Sequence, residues 1–327
     1  ACLAHHAHFD GLILNHHYGV KPAFFIDTLS MARILDGPKV GHRLELLAER
    51  HLSGRKGDYI KFAKGKHLAD FTRGELYAYG EYCCNDVELA YQLAQLFMQQ
   101  LPVDELRLID LTVRMFTEPV FEGDVPKLRE AVKMEKARKK ALLAPLGLLC
   151  AQCGGTAVDL LGGPCKTCEG SGLNKKPLNS NDQFAALLRG LGVEPETKPS
   201  HTHPEEQIYA FARTDSAMQE LLEDEDDEVR ALAEARLAIK SNLTETRADR
   251  FAGSAERGPM PVYLNHAGAH TLRPSGGDGM NFLNLSKHNA SRPEMHILRG
   301  SILAPVGCDI VAVDSSQGEA RILAWLA

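Results

Sequence analysis

No stretch of this chain approaches the roughly 18 consecutive apolar residues of a membrane-spanning helix, and no basic-then-apolar leader opens it. Neither a membrane-spanning helix nor a secretory leader is read in these residues, and the expected location is the cytoplasm. Positive charge is not in excess either. With 37 Lys and Arg against 43 Asp and Glu the net charge is −6, which excludes a wholly basic nucleic-acid-binding protein but leaves room for a basic groove on an acidic body. No segment repeats, so the chain is not an array. An initiator Met is missing, the first residues already read as a strand, and the last stop inside an apolar run. The expectation is an internal piece of a longer protein.

What is present is ordinary globular composition, 44% hydrophobic and 24% charged. At 327 residues there is room for two or three domains of roughly 100–200 residues each. The sharpest local signal is "CAQCGG…GGPCKTCEGSG". Cys150, Cys153, Cys165 and Cys168 form two C-x-x-C turns, each able to present two thiolates, with glycines beside them for tight turns. In a reducing compartment this spacing predicts a tetrahedral, structural Zn²⁺ site rather than disulfides.

Residues 1–105 alternate short β-like runs with helical stretches, the pattern of an α/β unit. Residues 106–255 read as mainly helical. Asp124 and Pro126 start a basic helix, and "SNDQFAALLRGLGV" is a capped helix ending at Gly192. "EPETKPSHTHPEE" is a linker, and a further helix runs from the acidic "EDEDDE" through "VRALAEARLAIKSNLTETRADRF". From 256 to 327 loop and hairpin chemistry dominates, followed by a strand at Ile310–Val313 and a helix start.

Acids stand at the ends of several of these elements: Asp10, Asp27 and Asp86, with Tyr82 one helical turn before Asp86. Carboxylates with a tyrosine able to orient water suit two-metal phosphodiester hydrolysis, whereas each acid alone suits a cap or a solvated charge. The dense histidines, His5, His6, His8, His16 and His17, read as packed or solvated rather than as ligands. Arg236, Lys240, Arg247 and Arg250 fall at helical spacing, able to form one face for a phosphate backbone.

"HHAHFD" and Tyr82-x-x-x-Asp86 resemble the second and third motifs of the DEDDy 3′–5′ proofreading exonucleases, an RNase H-like domain, with His6 where Asn is usual. The resemblance implies that Asp10 and Asp86 bind catalytic Mg²⁺ or Mn²⁺ and that Tyr82 positions the attacking water. That family's first motif, Asp-x-Glu, is absent.

"VAVDSSQGEARILAWLA" resembles motif A of family A DNA polymerases, usually Asp-Tyr-Ser-Gln-Ile-Glu-Leu-Arg. Asp314, Ser316, Gln317, Glu319 and Arg321 match; Ser315, Gly318 and Ala320 depart. "GAHTLRPSGGDGMNFLNLS" is similar to the segment of that family that approaches the primer–template minor groove, with Thr271, Arg273, Asn281 and Asn284 in place and Leu272, Leu283 and Ser286 departing. "ILRGSILAPVG" matches the run before motif A through Arg299, and "LAIKSNLTETR" resembles the thumb-to-palm helix.

The resemblance implies an RNase H-like exonuclease domain (1–105), a helical thumb (106–255) with a zinc knuckle at about 147–172, and the start of a polymerase palm (256–327), an α/β plus mainly-α chain. Asp314 would hold Mg²⁺, and Glu319 would crowd the sugar 2′ position. Ser316, Gln317 and Glu319 would meet the nucleotide. Lys240, Ser241, Arg273, Asn281, Asn284 and Arg299 would contact DNA. Primer–template DNA and deoxynucleoside triphosphates are the implied partners, with a processivity factor unidentified, in a bacteriophage-type enzyme working in a bacterial host. Neither synthesis nor exonuclease activity is expected of this stretch alone. The rival readings are a stand-alone 3′–5′ exonuclease and a non-catalytic, zinc-stabilised nucleic-acid-binding module.

Overall fold

The computed structural model describes residues 1–37, 39–52, 54, 57, 59–159, 161–168, 170–200, 202–240, 243–285, 294–314 and 316–327. The chain divides into two compact units: 1–124 with 253–285 and 302–327, and 125–252 with 286–301.

The first unit opens with β1 (Cys2–Ala4), α1 (Ala7–Tyr18) and β2 (Phe25–Asp27), the strands pairing in parallel with Leu3 opposite Ile26. The strand expected to run on from residue 1 ends at Ala4, and Asp10 sits on a helix. His6 turns the chain at φ 76°, and the His6 and Ala7 amides donate to Asp27 Oδ1 at 2.7 and 3.1 Å. Those donors are orphans of a helix start, and a carboxylate satisfies them. Asp27 also accepts from the Leu29 and Ser30 amides and the Ser30 hydroxyl, which caps α2 (Thr28–Asp36). One fully buried carboxylate thus closes two helix starts, and that accounts for Asp27 without chemistry. α1 stops at Gly19, whose φ of 65° is the left-handed turn that closes a helix there.

α3 (Leu44–His51), α4 (Ile60–Ala63), α5 (Arg73–Met98) and α6 (Val103–Thr117) follow. α5 starts at a capping box in which Glu75 N donates to Thr72 Oγ1 and Thr72 N to Glu75 Oε2. Its Leu89, Ala90, Leu93 and Phe97 are buried against Met31, Leu47 and Ile109. Val87 of the same helix is 68% exposed. β3 (Glu122–Gly123) pairs antiparallel with β8 (Ile302–Leu303), and β6 (Leu264–Asn265) with β7 (Ser275–Gly276), the hairpin expected after 256. α14 (Gly318–Leu326) ends the chain. Ile310–Val313 is not a strand: among the described residues nothing pairs with it, and Val311 and Val313 are 81% and 91% exposed. Isolated strands leave their amides without partners.

In the second unit α7 (Val125–Leu143) leads into the cysteine segment, then α8 (Lys176–Asn179) and α9 (Asn181–Gly190), capped by Ser180 Oγ accepting from Gln183 N. The expected linker contains a hairpin of β4 (Thr197–Pro199) and β5 (Gln207–Tyr209), closed by Ser200 N donating to Glu206 O. α10 (Ser216–Leu222), α11 (Asp227–Lys240), α12 (Leu243–Ala255) and α13 (Glu294–Arg299) complete it. The single helix expected beyond "EDEDDE" is described as α11 and α12, with 241–242 outside the described residues. Leu143, Phe184, Leu188, Phe211, Met218, Leu232 and Ile239 form the core. Lys139, 1% exposed, pairs with Glu245 at 2.9 Å and ties α7 to α12.

Candidate functional site

The four cysteines converge: their sulfur atoms all lie within 4.8 Å of one another. Two similar turns make this possible. Thr156 and Ser171 each donate backbone N–H and side-chain hydroxyl to the carbonyl of the cysteine three residues earlier, Cys153 and Cys168. Gly155 and Gly172 take φ of 83° and 72°, and a Cβ on Gly172 would sit 2.7 Å from Gly155 O, so the close approach of the turns admits only glycine. Cys150 N donates to Gly172 O and Asn174 N to Leu148 O, joining the two ends of the loop. Tetrahedral Zn²⁺ with Zn–S of about 2.3 Å requires S···S of about 3.8 Å; Cys153 and Cys168 stand 3.7 Å apart. The donor set fits zinc, with every position filled by protein. Burial opposes ionisation of Cys168, but the Gly172 N–H 3.1 Å from its sulfur and the neighbouring thiols outweigh it and bring the pKa down to about 6. Such N–H···S bonds favour a thiolate, the form that binds metal.

In the first unit Asp10 and, more than 70 residues later, Tyr82 and Asp86 line one open cavity of about 1240 Å³. α1 carries Asp10, and α5 carries Tyr82 and Asp86 one turn apart. Burial raises the Asp10 pKa, the nearby Asp27 adding to it and His6 opposing. The cavity also takes His5, His6, Arg33, His42 and Lys61; sequence spacing did not join Arg33, His42 and Lys61 to the two histidines because they lie farther along the chain. His6 Nε2 lies 2.9 Å from Tyr263 Oη, 257 residues away. His8 is buried among Tyr263, Phe116 and His6, with ring centroids 4.9, 5.7 and 5.7 Å away. Burial above all lowers its pKa to about 4. Among the described residues no well-formed hydrogen bond reaches either ring nitrogen. His8 is therefore a neutral core residue.

At the C-terminal motif, Arg273 Nη2 meets Glu319 Oε1 at 3.0 Å across 46 residues, so two separately read motifs touch. Both side chains are exposed. Asp314, Ser316 and Gln317 are exposed, and Gln317 precedes α14 at φ 51°. Asn281 Oδ1 accepts from Leu283 N, opening the short helical turn that includes Asn284. Among the described residues, no group of three potential metal donors gathers about Asp314 or about Asp10 and Asp86. The full ligand set for catalytic Mg²⁺ is therefore not assembled by them.

Arg299 is exposed at the end of α13. Ser241, like Ser315 and Ser286, lies outside the described residues. Lys240 Nζ donates to Asn179 O at 2.8 Å. Arg236 does not belong to an exposed basic face: it is 2% exposed and donates to the carbonyls of Leu178 and Ser180 and to Asn181 Oδ1. Helical spacing put it on a face, and the core of the second unit claimed that face.

The sequence matches no protein-family description and no curated protein. In fold the chain is similar to the POL domain of Pol1 from M. smegmatis in complex with DNA primer-template and dNTP, with a TM-score of 0.56 over 98% of this chain and 18% sequence identity. The chain spans 48% of that one, about half its length. At this identity the likeness is one of fold: a mixed α/β, largely helical chain resembling a DNA polymerase domain, carrying a four-cysteine cluster suited to a metal.

Proposed function

We propose that this chain is part of a bacteriophage-type, family A DNA-directed DNA polymerase with 3′–5′ proofreading, acting in DNA replication in a host cytoplasm. The observation that carries the reading is the fold likeness, which covers 98% of the chain; the Asp314–Arg321 pattern is consistent with it. The meeting of Arg273 with Glu319 and the shared cavity of Asp10, Tyr82 and Asp86 support it further. No helix among the described residues is long and apolar enough to cross a membrane.

Synthesis joins a primer 3′-hydroxyl to the α-phosphorus of a deoxynucleoside triphosphate and releases pyrophosphate. It is phosphoryl transfer, in which positioning and charge stabilisation supply most of the rate. Mg²⁺ would supply that charge when bound, with Asp314 the candidate ligand from this chain. Arg273 would keep the Glu319 carboxylate in one place beside the sugar, while Ser316 and Gln317 meet the nucleotide. Asn281, Asn284, Arg299, Lys240 and Ser241 would hold DNA. In proofreading, Tyr82 would orient a water toward the terminal phosphodiester, with Asp10 and Asp86 as carboxylate ligands. The zinc knuckle would be structural, holding the loop between α7 and α8.

The test is primer extension and degradation of a mismatched 3′ end by the open reading frame that encodes this chain, wild type against Asp314→Ala and Asp86→Ala. Extension is expected to fall by at least about 10³-fold with Asp314→Ala while degradation persists, and the reverse with Asp86→Ala. Extension that survives Asp314→Ala refutes the polymerase reading. Degradation without any extension in the wild type would favour a stand-alone exonuclease.

A further inference from the structure

A second cavity, of about 620 Å³, lies wholly within the second unit and takes Asn181, Lys198, Tyr209, Arg213, Arg236 and Lys240 in its lining. Its volume is in the range of small-molecule sites. α11 places Arg236 and Lys240 one turn apart, so both face the same side.

Arg236 is the unusual member. Its guanidinium lies 4.9 Å from the Phe184 ring and 5.6 Å from Phe211, and each of its hydrogen-bond acceptors is neutral. Among the described residues its Nε–H has no acceptor. A buried cation normally faces a carboxylate; among the described residues this one has none. Carbonyls and ring faces hold the guanidinium in place, but they do not cancel its charge.

The rest of the lining adds to the imbalance. Lys240 rests on the neutral Asn179 carbonyl. Lys198 is met at 2.5 Å by Asp215, the one acid lining the cavity. Arg236, Lys240 and Lys198 therefore face one carboxylate around a partly desolvated space, where charge interactions are stronger than in water. Burial, most of all, lowers the Lys240 pKa, with Arg236 adding to it, and burial brings Arg236 to about 10. Arg236 therefore remains charged at neutral pH and would gain from an anion. A carboxylate would offset one surplus charge; a phosphate, with up to two negative charges and several acceptor oxygens, matches the surplus better.

We infer that this cavity is a binding site for a phosphate group. The inference stands on the second unit alone and does not rest on the polymerase reading, because its test contains no synthesis or degradation. The phosphate could come from a free anion or nucleotide, or from a nucleic-acid strand.

The experiment is calorimetric titration of the full chain with inorganic phosphate and with thymidine 5′-monophosphate. An oligonucleotide is then titrated with and without saturating phosphate. Wild type is compared with Lys240→Ala and Arg236→Gln, and with Lys166→Ala in the cysteine loop as control; circular dichroism confirms folding. Inorganic phosphate is expected to bind, Lys240→Ala to weaken it by at least about 10-fold, and Lys166→Ala to leave it unchanged. If Arg236→Gln fails to fold, Lys240→Ala decides alone. Oligonucleotide binding that is displaced by phosphate would identify a strand as the source; phosphate binding without such competition would identify the free anion. No phosphate binding at about 10 mM, or equal affinity in Lys240→Ala, overturns the assignment.

Discussion

Acidification should weaken the first unit through His8. The unfolded imidazole titrates at 6.5, and burial among Tyr263, Phe116 and His6 moves the folded value to about 4. The folded state binds fewer protons between those values, so stability is fully present above pH 6.5 and is lost as pH falls through 4. A difference of about 2.5 pH units at about 1.36 kcal/mol each gives a loss of about 3 kcal/mol. With His8 only 2% exposed, solvent screening does not reduce it much. Asp10, whose pKa burial raises, acts with the opposite sign. Its effect is common to wild type and His8→Phe and cancels in their difference. The assay is a histidine NMR titration, with urea unfolding of the two proteins followed from pH 7 to 4. The His8 resonance should titrate near 4, and the stability gap between wild type and His8→Phe should shift by about 3 kcal/mol over that range. An imidazole that titrates near 6.5, or parallel stability curves, refutes the reasoning.

Elemental analysis should find one zinc per chain, and Cys165→Ser should lose it together with several kcal/mol of stability, seen as a lower thermal midpoint. An unchanged midpoint in metal-free protein would sink the structural role. Asp27→Ala strips the acceptor from the starts of α1 and α2 and should cost about 3 kcal/mol by urea unfolding; a loss below about 1 kcal/mol would contradict the double cap. Lys139→Met leaves the Glu135 and Glu245 carboxylates short of a buried partner and should cost about 3–5 kcal/mol. A neutral result would show that the charge is dispensable there.

Features made by near neighbours in sequence were legible without a structure. The two C-x-x-C turns announce a four-thiolate centre because each turn is a local device, and closing it needs only that the two halves meet. Ser180 before α9 could be read for the same reason: a cap bonds an amide three residues on. The likeness in fold to a polymerase domain agrees in coarse outline with what the motif resemblances imply.

Tertiary structure decided the fate of individual charged and polar side chains. Arg236 and Lys240 look alike at helical spacing, yet packing against Phe184 and Phe211 buries the first and leaves the second exposed. Asp10 and Asp27 are both acids beside short strands; one lines a cavity and the other is consumed by four amides. The apolar run Ile310–Val313 has strand composition, but a strand requires a neighbour to bond with, and none pairs with it among the described residues. His8 belongs to the core because Tyr263, some 250 residues away, closes over it. Periodicity carries which residues share a face; only the packed chain determines what that face meets, because burial and hydrogen bonding are set by residues distant in sequence.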